Sequence, residues 1–523
     1  MMMNSITKLT SCLAVIAVFL FFGPAAFAQP DFNGEITLSY LNFDDEGNRS
    51  AARELFDTYD GFNLQRLTAF GNINPHTRYL LQLDDLNLDG RRASLNVTDI
   101  NLFKVKADYR QSRLLFGPGE DQKNERKSYS GYFEIKPLKA VSGYVEYSGQ
   151  ENEGDRIVYD IADQGLFGAL YDRRSTLLKG GTKLRYKSHQ LEVSYSHRKY
   201  DDKINDELDS KTDGIEIRAY GNVDPRVKVV GDFKNFQKEK EVSGDKLKET
   251  SFGLTVVAKP RRSLRLAPVF HYRTVSGEPQ DPEFSAYRFG LDADYTIPQN
   301  TTFSGGVGYE ARKAADFKSN LLYYSVGARS RLHPKVAVKV SYSGSSRRDP
   351  DNVLITGKEE RTRIKGELDL HPCEAADIKA GYKLVQRENS NIDTKSETGS
   401  FYGVLSTRFR DRCEASLQAN RSDVEFTWGG EKLKYKYSSV TGTLRSHPTP
   451  ELAFTVAGTY YIYDDDVEQD KLDVTFGASY RLLPEVKLGV SYRRYEIDGY
   501  RLSPTYYEAN LIKGELTFNL TNK

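Results

Sequence analysis

Apolar and polar residues alternate with a period of two along the chain, and the alternation restarts after each of a series of short turns. After Pro334, Val336, Val338, Val340 and Tyr342 are apolar, with Lys339, Ser341 and Ser343 between them. After Pro484 the apolar set is Val486, Leu488, Val490 and Tyr492, against Lys487, Gly489, Ser491 and Arg493. Pro225 is followed by Val227, Val229, Gly231 and Phe233, against Lys228, Asp232 and Lys234, and residues 377–384 repeat the pattern. Successive side chains of a strand point to opposite sides, so each run makes a strand with one apolar and one polar face.

The turn markers are evenly spaced. Pro225, Pro260, Pro298, Pro334, Pro372, Arg412, Pro448 and Pro484 follow one another at 35, 38, 36, 38, 40, 36 and 36 residues. Each interval holds two strands of about ten to twelve residues, one short turn and one longer loop. Proline belongs at such turns because it has no N–H to give to a central strand. Polar segments such as 200–214 and 348–361 fall where the longer loops are expected, and 150–174 reads as the longest of them. Earlier short turns are placed near Pro75, Lys106, Pro137 and His189. Twelve short turns give twenty-four flanking strands. With a first strand at 35–43 and a last at 507–520 the count reaches twenty-six, twenty-four being the alternative.

This pattern predicts an all-β fold: a single large transmembrane antiparallel up-and-down β-barrel, with short periplasmic turns and longer extracellular loops. A β-propeller also repeats at about forty residues, but it packs four short strands into each repeat. The recurring Tyr or Phe near the far end of each apolar face lies where a membrane-interface girdle would fall.

Composition agrees. Tyr (34) and Phe (27) are abundant, while Trp (1) and Met (3) are scarce, and tyrosine suits an interface that is apolar on one side and wet on the other. A mean hydropathy of -0.59 excludes a helical membrane bundle but not a barrel, whose two faces average out as polar. Lys8 supplies the positive start of a signal peptide, residues 13–22 (LAVIAVFLFF) its apolar core, and Ala26-Phe27-Ala28 its cleavage site. Residues 1–28 are therefore read as a leader and 29–523 as the barrel, located in the outer membrane of a Gram-negative cell. Leu9-Thr10-Ser11-Cys12 resembles a lipoprotein box but precedes the apolar core, and we read it as a chance match. Lys+Arg total 74 and Asp+Glu 73; without Lys8 each total is 73, so no basic excess points to nucleic acid.

Width bears on function. Twenty-six strands about 4.8 Å apart and tilted about 45° close into a ring roughly 50–60 Å across. A barrel this wide, left empty, would breach the permeability barrier. Barrels of 22 strands carry a plug, yet here the alternation begins soon after Gln29 and no later insertion is long enough to make one, so the expected filling is a separate protein.

The leader, the strand count, the lack of a plug and the early run 81–90 (LQLDDLNLDG) give a chain that resembles the MtrB/PioB family, the barrel components of outer-membrane porin–cytochrome electron conduits. The resemblance would span the whole mature chain. It implies a sheath that holds a periplasm-facing multihaem c-type cytochrome across the outer membrane, so that electrons hop between haems, in contact with membrane lipid and lipopolysaccharide. Some members carry a Cys-x-x-Cys pair near the mature N-terminus, and this sequence departs from them in having none. It has no Cys-x-x-Cys-His either, so haem is expected only in the partner and no cofactor in this chain. The alternative reading is a general or substrate-specific diffusion porin narrowed by its own loops. A third, an export or assembly barrel, normally brings soluble periplasmic domains.

Individual motifs add little chemistry. Cys373 and Cys413 sit beside consecutive short turns. An oxidising periplasm would permit a disulfide, but two strand spacings, about 10 Å, exceed its reach, so free thiols are expected and the bond is the alternative. His76, His189, His333, His371 and His447 fall at short turns, where they are either a periplasmic docking rim or ordinary turn residues; the second is favoured, since no pair has zinc spacing. Asp85-x-Asn87-x-Asp89-Gly90 begins like a calcium loop, but Asn96 stands where the twelfth-position Glu belongs, and an Asp-Gly hairpin explains it. Asp464-Asp465-Asp466 reads as a solvated loop, and Gly306-Val307-Gly308 lies in a strand with no helix after it. No nucleophile signature appears, and an enzyme is not expected.

Overall fold

A computed structural model of the chain describes residues 31–47, 58, 60–116, 122–160, 165–277, 284–297, 300–314, 318–348, 359–390, 393–409, 412–464, 469–499 and 506–521. The leader, its cleavage site, Pro298, Asp465, Asp466 and much of the segment 348–361 lie outside the described residues.

The strands, in chain order, begin with β1 (Asp31–Gly47), β2 (Gly61–Asn74), β3 (Thr77–Asp84), β4 (Arg92–Asp99), β5 (Phe103–Phe116), β6 (Gln122–Leu138), β7 (Val141–Asp160), β8 (Gly165–Tyr186) and β9 (His189–Asp202). They continue with β10 (Ser210–Asp224), β11 (Val227–Lys240), β12 (Lys246–Arg261), β13 (Leu264–Gly277), β14 (Phe284–Ile297), β15 (Thr301–Lys313), β16 (Lys318–His333), β17 (Val336–Arg348) and β18 (Glu359–Cys373). The last are β19 (Ala376–Asn389), β20 (Thr394–Phe409), β21 (Cys413–Trp428), β22 (Glu431–Ser446), β23 (Leu452–Asp464), β24 (Gln469–Leu483), β25 (Val486–Gly499) and β26 (Tyr507–Thr521). Each pairs antiparallel with the next, and β26 pairs with β1 from Asn33↔Thr521 to Gly47↔Tyr507, which closes the 26-stranded sheet. Closure matters because an open edge would leave unpaired amides in hydrocarbon.

Faces follow from register, because residues directly opposite on an antiparallel pair share a side. Val326, Tyr342, Ile364 and Leu384 form one continuous row across β16 to β19. The row beside it on the other face runs Gly327, Ser341, Lys365, Lys383. The apolar rows face outward: Val340 is 51% exposed, Leu417 49% and Val490 56%. A continuous exposed apolar band of this kind is stable only against lipid. Aromatic pairs girdle it, including Phe270–Phe289 at 4.8 Å between ring centroids, Tyr324–Tyr342 at 5.9 Å and Tyr382–Phe401 at 4.4 Å.

The short-turn end carries a second seam of bonds. A turn carbonyl accepts the amide of a residue on the strand beyond its own hairpin: Lys136 N to Leu102 O (2.7 Å), Lys259 N to Arg226 O (2.7 Å), His371 N to Lys335 O (2.8 Å) and Asn519 N to Glu485 O (2.7 Å). Just before several turns the register shifts, as between Ile135 and Leu138, Ala258 and Arg261, and Leu370 and Cys373. Pro137, Pro260 and Pro372 sit inside those shifts, where a missing N–H costs no ladder bond.

Three expectations need correction. The second short turn is at 100–102, and Lys106 lies inside β5. The strands β3 and β4 are only 8 residues each, so the turn arrives early; Asp99 Oδ1 shapes it by accepting the amides of Asn101 and Leu102, both at 2.9 Å. The segment 150–174 is not a loop. Most of it continues the ladder of β7 and β8, 20 and 22 residues long, from Val141↔Leu184 to Asp160↔Gly165. At that end β21 and β22 join through Gly429-Gly430 alone, at φ 56° and 88°. A two-residue turn with positive φ at both positions suits glycine, and its twist matches that of the strands. Finally, Pro268 lies within β13, against the rule that bars proline from central strands. The ladder to β12 passes from Thr255↔Val269 to Ala258↔Leu266, omitting Pro268, and resumes in the same offset.

Candidate functional site

The polar rows face the lumen, and this wall is the candidate functional surface. Most of its charges are held against one another. Glu216 receives Lys179 Nζ at 2.8 Å and Arg218 at 2.6 Å, with Lys234 at 3.6 Å. Farther round, Arg265 meets Asp294 at 2.7 Å, and Arg493 holds both oxygens of Asp473, at 2.9 and 2.8 Å. Glu367 is bound by Lys365 at 2.7 Å and by the Tyr402 hydroxyl at 2.7 Å. Such pairs, on a half-exposed polar face, add little to stability but fix side chains in a pattern.

Aromatic rings share this surface. Tyr132 and Tyr144 stack at 5.7 Å with Lys183 Nζ 4.3 Å from the Tyr144 ring centroid and 3.0 Å from the Tyr132 hydroxyl. Those hydroxyls donate to Glu134 (2.8 Å) and Glu192 (2.6 Å). Arg288 lies over Tyr323 at 4.5 Å. At the closing seam, Phe43, Tyr495, Ile497, Tyr507 and Ala509 make a buried inward cluster, with Tyr507 donating to Asp45 Oδ2 at 3.1 Å. In the segment between β9 and β10, Lys203 sits 2.8 Å from Asp172 of β8, whose carboxylate holds that ammonium above the usual lysine range.

The five histidines lie where turn chemistry expects them. His76, His189, His333, His371 and His447 are all exposed at the short-turn end. They are distributed around the ring on five different hairpins, not gathered in one patch. His333 Nδ1 accepts the Lys335 amide at 3.2 Å, and His371 pairs with Asp377, as turn residues do. Among the described residues no three His, Cys, Asp or Glu side chains converge as a metal site. Cys373 and Cys413 are free thiols, with β19 and β20 between their strands. Asp464 ends β23, and Gly306 and Gly308 lie inside β15.

The segment 85–91 has a structural task. Because β3 and β4 stop short, a notch opens between β2 and β5, and this segment closes it. Asp85 N and Leu86 N bond to the carbonyls of Gln65 (3.0 Å) and Leu64 (3.3 Å), while Gln111 N bonds to Arg91 O (2.9 Å). Asn63 Nδ2 donates to Asp85 Oδ1 at 3.0 Å, and Arg113 meets Asp89 at 3.0 Å. The carboxylates are spent on the wall.

No family model matches the chain, and no curated protein matches it. Solved structures do. The FrpB iron transporter from Neisseria meningitidis (F5-1 variant) aligns with a TM-score of 0.52 at 10% identity, over 94% of this chain and 83% of that one. A mutant of the ferric enterobactin receptor PfeA from Pseudomonas aeruginosa aligns at 0.51 and 8%, over 95% and 81%. At such identities the likeness shows fold alone: the chain is an outer-membrane β-barrel.

Proposed function

We propose that the barrel is a sheath that holds a multihaem c-type cytochrome across the outer membrane for transmembrane electron transfer, as its resemblance to the MtrB/PioB family implies. The observation that carries this reading is the ring itself. Twenty-six strands enclose a lumen roughly 50–60 Å across the backbone, and nearly all the described residues are wall. A second support is the inner surface, a mosaic of mutually paired charges and tyrosines, which a folded protein can match and exclude water from. This chain has no haem-attachment motif, so every redox centre would belong to the partner.

The reading to set against it is a diffusion or substrate channel narrowed by its own loops, and solved barrels of this fold are named as an iron transporter and a ferric enterobactin receptor. Affinity purification of the barrel from outer membranes, followed by haem staining and mass spectrometry, separates the two. A stoichiometric multihaem cytochrome is expected. Recovery of the barrel alone, with discrete ion conductance in planar bilayers, would overturn the sheath.

A further inference from the structure

On one sector of the lumen wall, arginines without a carboxylate partner line a common cavity. The cavity spans β3 to β9, has a volume of about 670 Å³ and is lined by residues that include Arg92, Arg110, Arg198, Asp108, Ser128 and Gln150. None of the three arginines makes an ion pair or side-chain hydrogen bond among the described residues, whereas Arg265 and Arg493 elsewhere on the wall do.

Two of them are placed against each other. Arg92 and Arg110 are direct partners across β4 and β5, and like charges in that relation are destabilising. The nearest carboxylate in their row is Asp84, opposite Arg92, but its Oδ1 takes Arg66 Nε at 3.1 Å and its Oδ2 takes Gln82 Nε2 at 2.7 Å. Asp108, the single carboxylate on the cavity wall, faces Ser94 and bonds neither arginine. On the other side the row continues through Ser128 and Gln150, which are neutral donors. Two unpaired guanidinium groups flanked by a hydroxyl and an amide form an arrangement suited to a carboxylate or phosphate.

We propose that the lumen wall carries an oxyanion-binding site centred on Arg92 and Arg110, with Arg198 on its far rim. The ligand group is a carboxylate or phosphate, presented either by a free solute or by the surface of a protein in the lumen. Geometry distinguishes the sources. Four strand spacings, about 19 Å, separate Arg110 from Arg198, so a small anion held by the central pair does not reach the rim, while a protein surface touches both. The central site does not depend on the sheath reading.

The test uses the full mature barrel, wild type, R92Q/R110Q and R198Q, with K434Q as a control on the outer face, all checked for heat-modifiable migration. Citrate binding is measured by titration calorimetry, and haem recovered with each barrel from outer membranes is quantified. For a free solute, wild type binds citrate and R92Q/R110Q weakens it at least about tenfold, while R198Q and K434Q leave it unchanged. For a protein surface, recovered haem falls in both R92Q/R110Q and R198Q, whether or not citrate binds. If folded R92Q/R110Q matches wild type in both measurements, the site is refuted. Absence of haem from the wild-type preparation counts against the sheath alone, because the citrate arm is read without it.

Discussion

The sector from β16 to β22 and the sector from β2 to β5 solve the same problem differently. In the first, strands of 13 to 16 residues pair without interruption over most of their length, and adjacent rows alternate cleanly between lipid and lumen. In the second, two 8-residue strands leave a gap that the segment 85–91 closes with backbone amides and the side chains of Asn63, Asp85 and Asp89. A barrel wall must leave no unpaired backbone at membrane depth, but the ladder need not be what satisfies it. Where the ladder does so, side chains on the polar face are free to pair with one another. Where a folded-back segment does so, the carboxylates of Asp85 and Asp89 are drawn into the wall. Facing arginines without a carboxylate occur in both sectors, Arg92 with Arg110 in one and Arg361 with Arg387 in the other, but only the first pair lines a cavity with Ser128 and Gln150.

The comparison can be broken most strongly on the regular side. V340R puts a charge in the middle of the lipid-facing row and should cost about 2–4 kcal/mol, whereas S341R, one residue along and facing water, should cost little. Urea unfolding in lipid vesicles, read by heat-modifiable migration, checks both; equal losses would mean that the two faces are assigned wrongly. On the irregular side, D85A removes the acceptor of the buried Asn63 amide and should cost about 1–2 kcal/mol in the same assay. At the closing seam, Gly47 has φ 95° and a Cβ there would lie 2.3 Å from the Tyr506 carbonyl oxygen. G47A should therefore destabilise by about 1–2 kcal/mol, with fraying of β1 from β26 visible as faster amide exchange. The smallest effect belongs to K434A, which breaks a 3.0 Å pair with Glu425 on the exposed outer face above the girdle and should leave the unfolding midpoint where it is.

Most of the regular sector was legible in the linear pattern, since turn spacing and period-two alternation place β10 to β26 with small boundary errors. What misled was local. The eight-residue strands shortened one interval and displaced a turn to Lys106. The acidic composition of 150–174 looked like a loop, yet a ladder needs only backbone groups, and polar residues continue it beyond the membrane. Pro268 was unexpected because a strand in a closed sheet tolerates a local gap in one ladder when the other is intact. The lumen features were visible only as polar positions. Nothing in the spacing of Arg92 and Arg110 announces that they face each other, or that Asp84 is already engaged.

Sequence alone determined that this chain spans a membrane as many antiparallel strands, because alternation with a period of two sorts side chains between lipid and water whatever their partners. Tertiary structure decided which residues meet across strands: where β26 meets β1, which charges neutralise one another, and which arginines are left over. Those are matters of register between segments distant in the chain, and register is a property of pairs of strands that no single strand encodes.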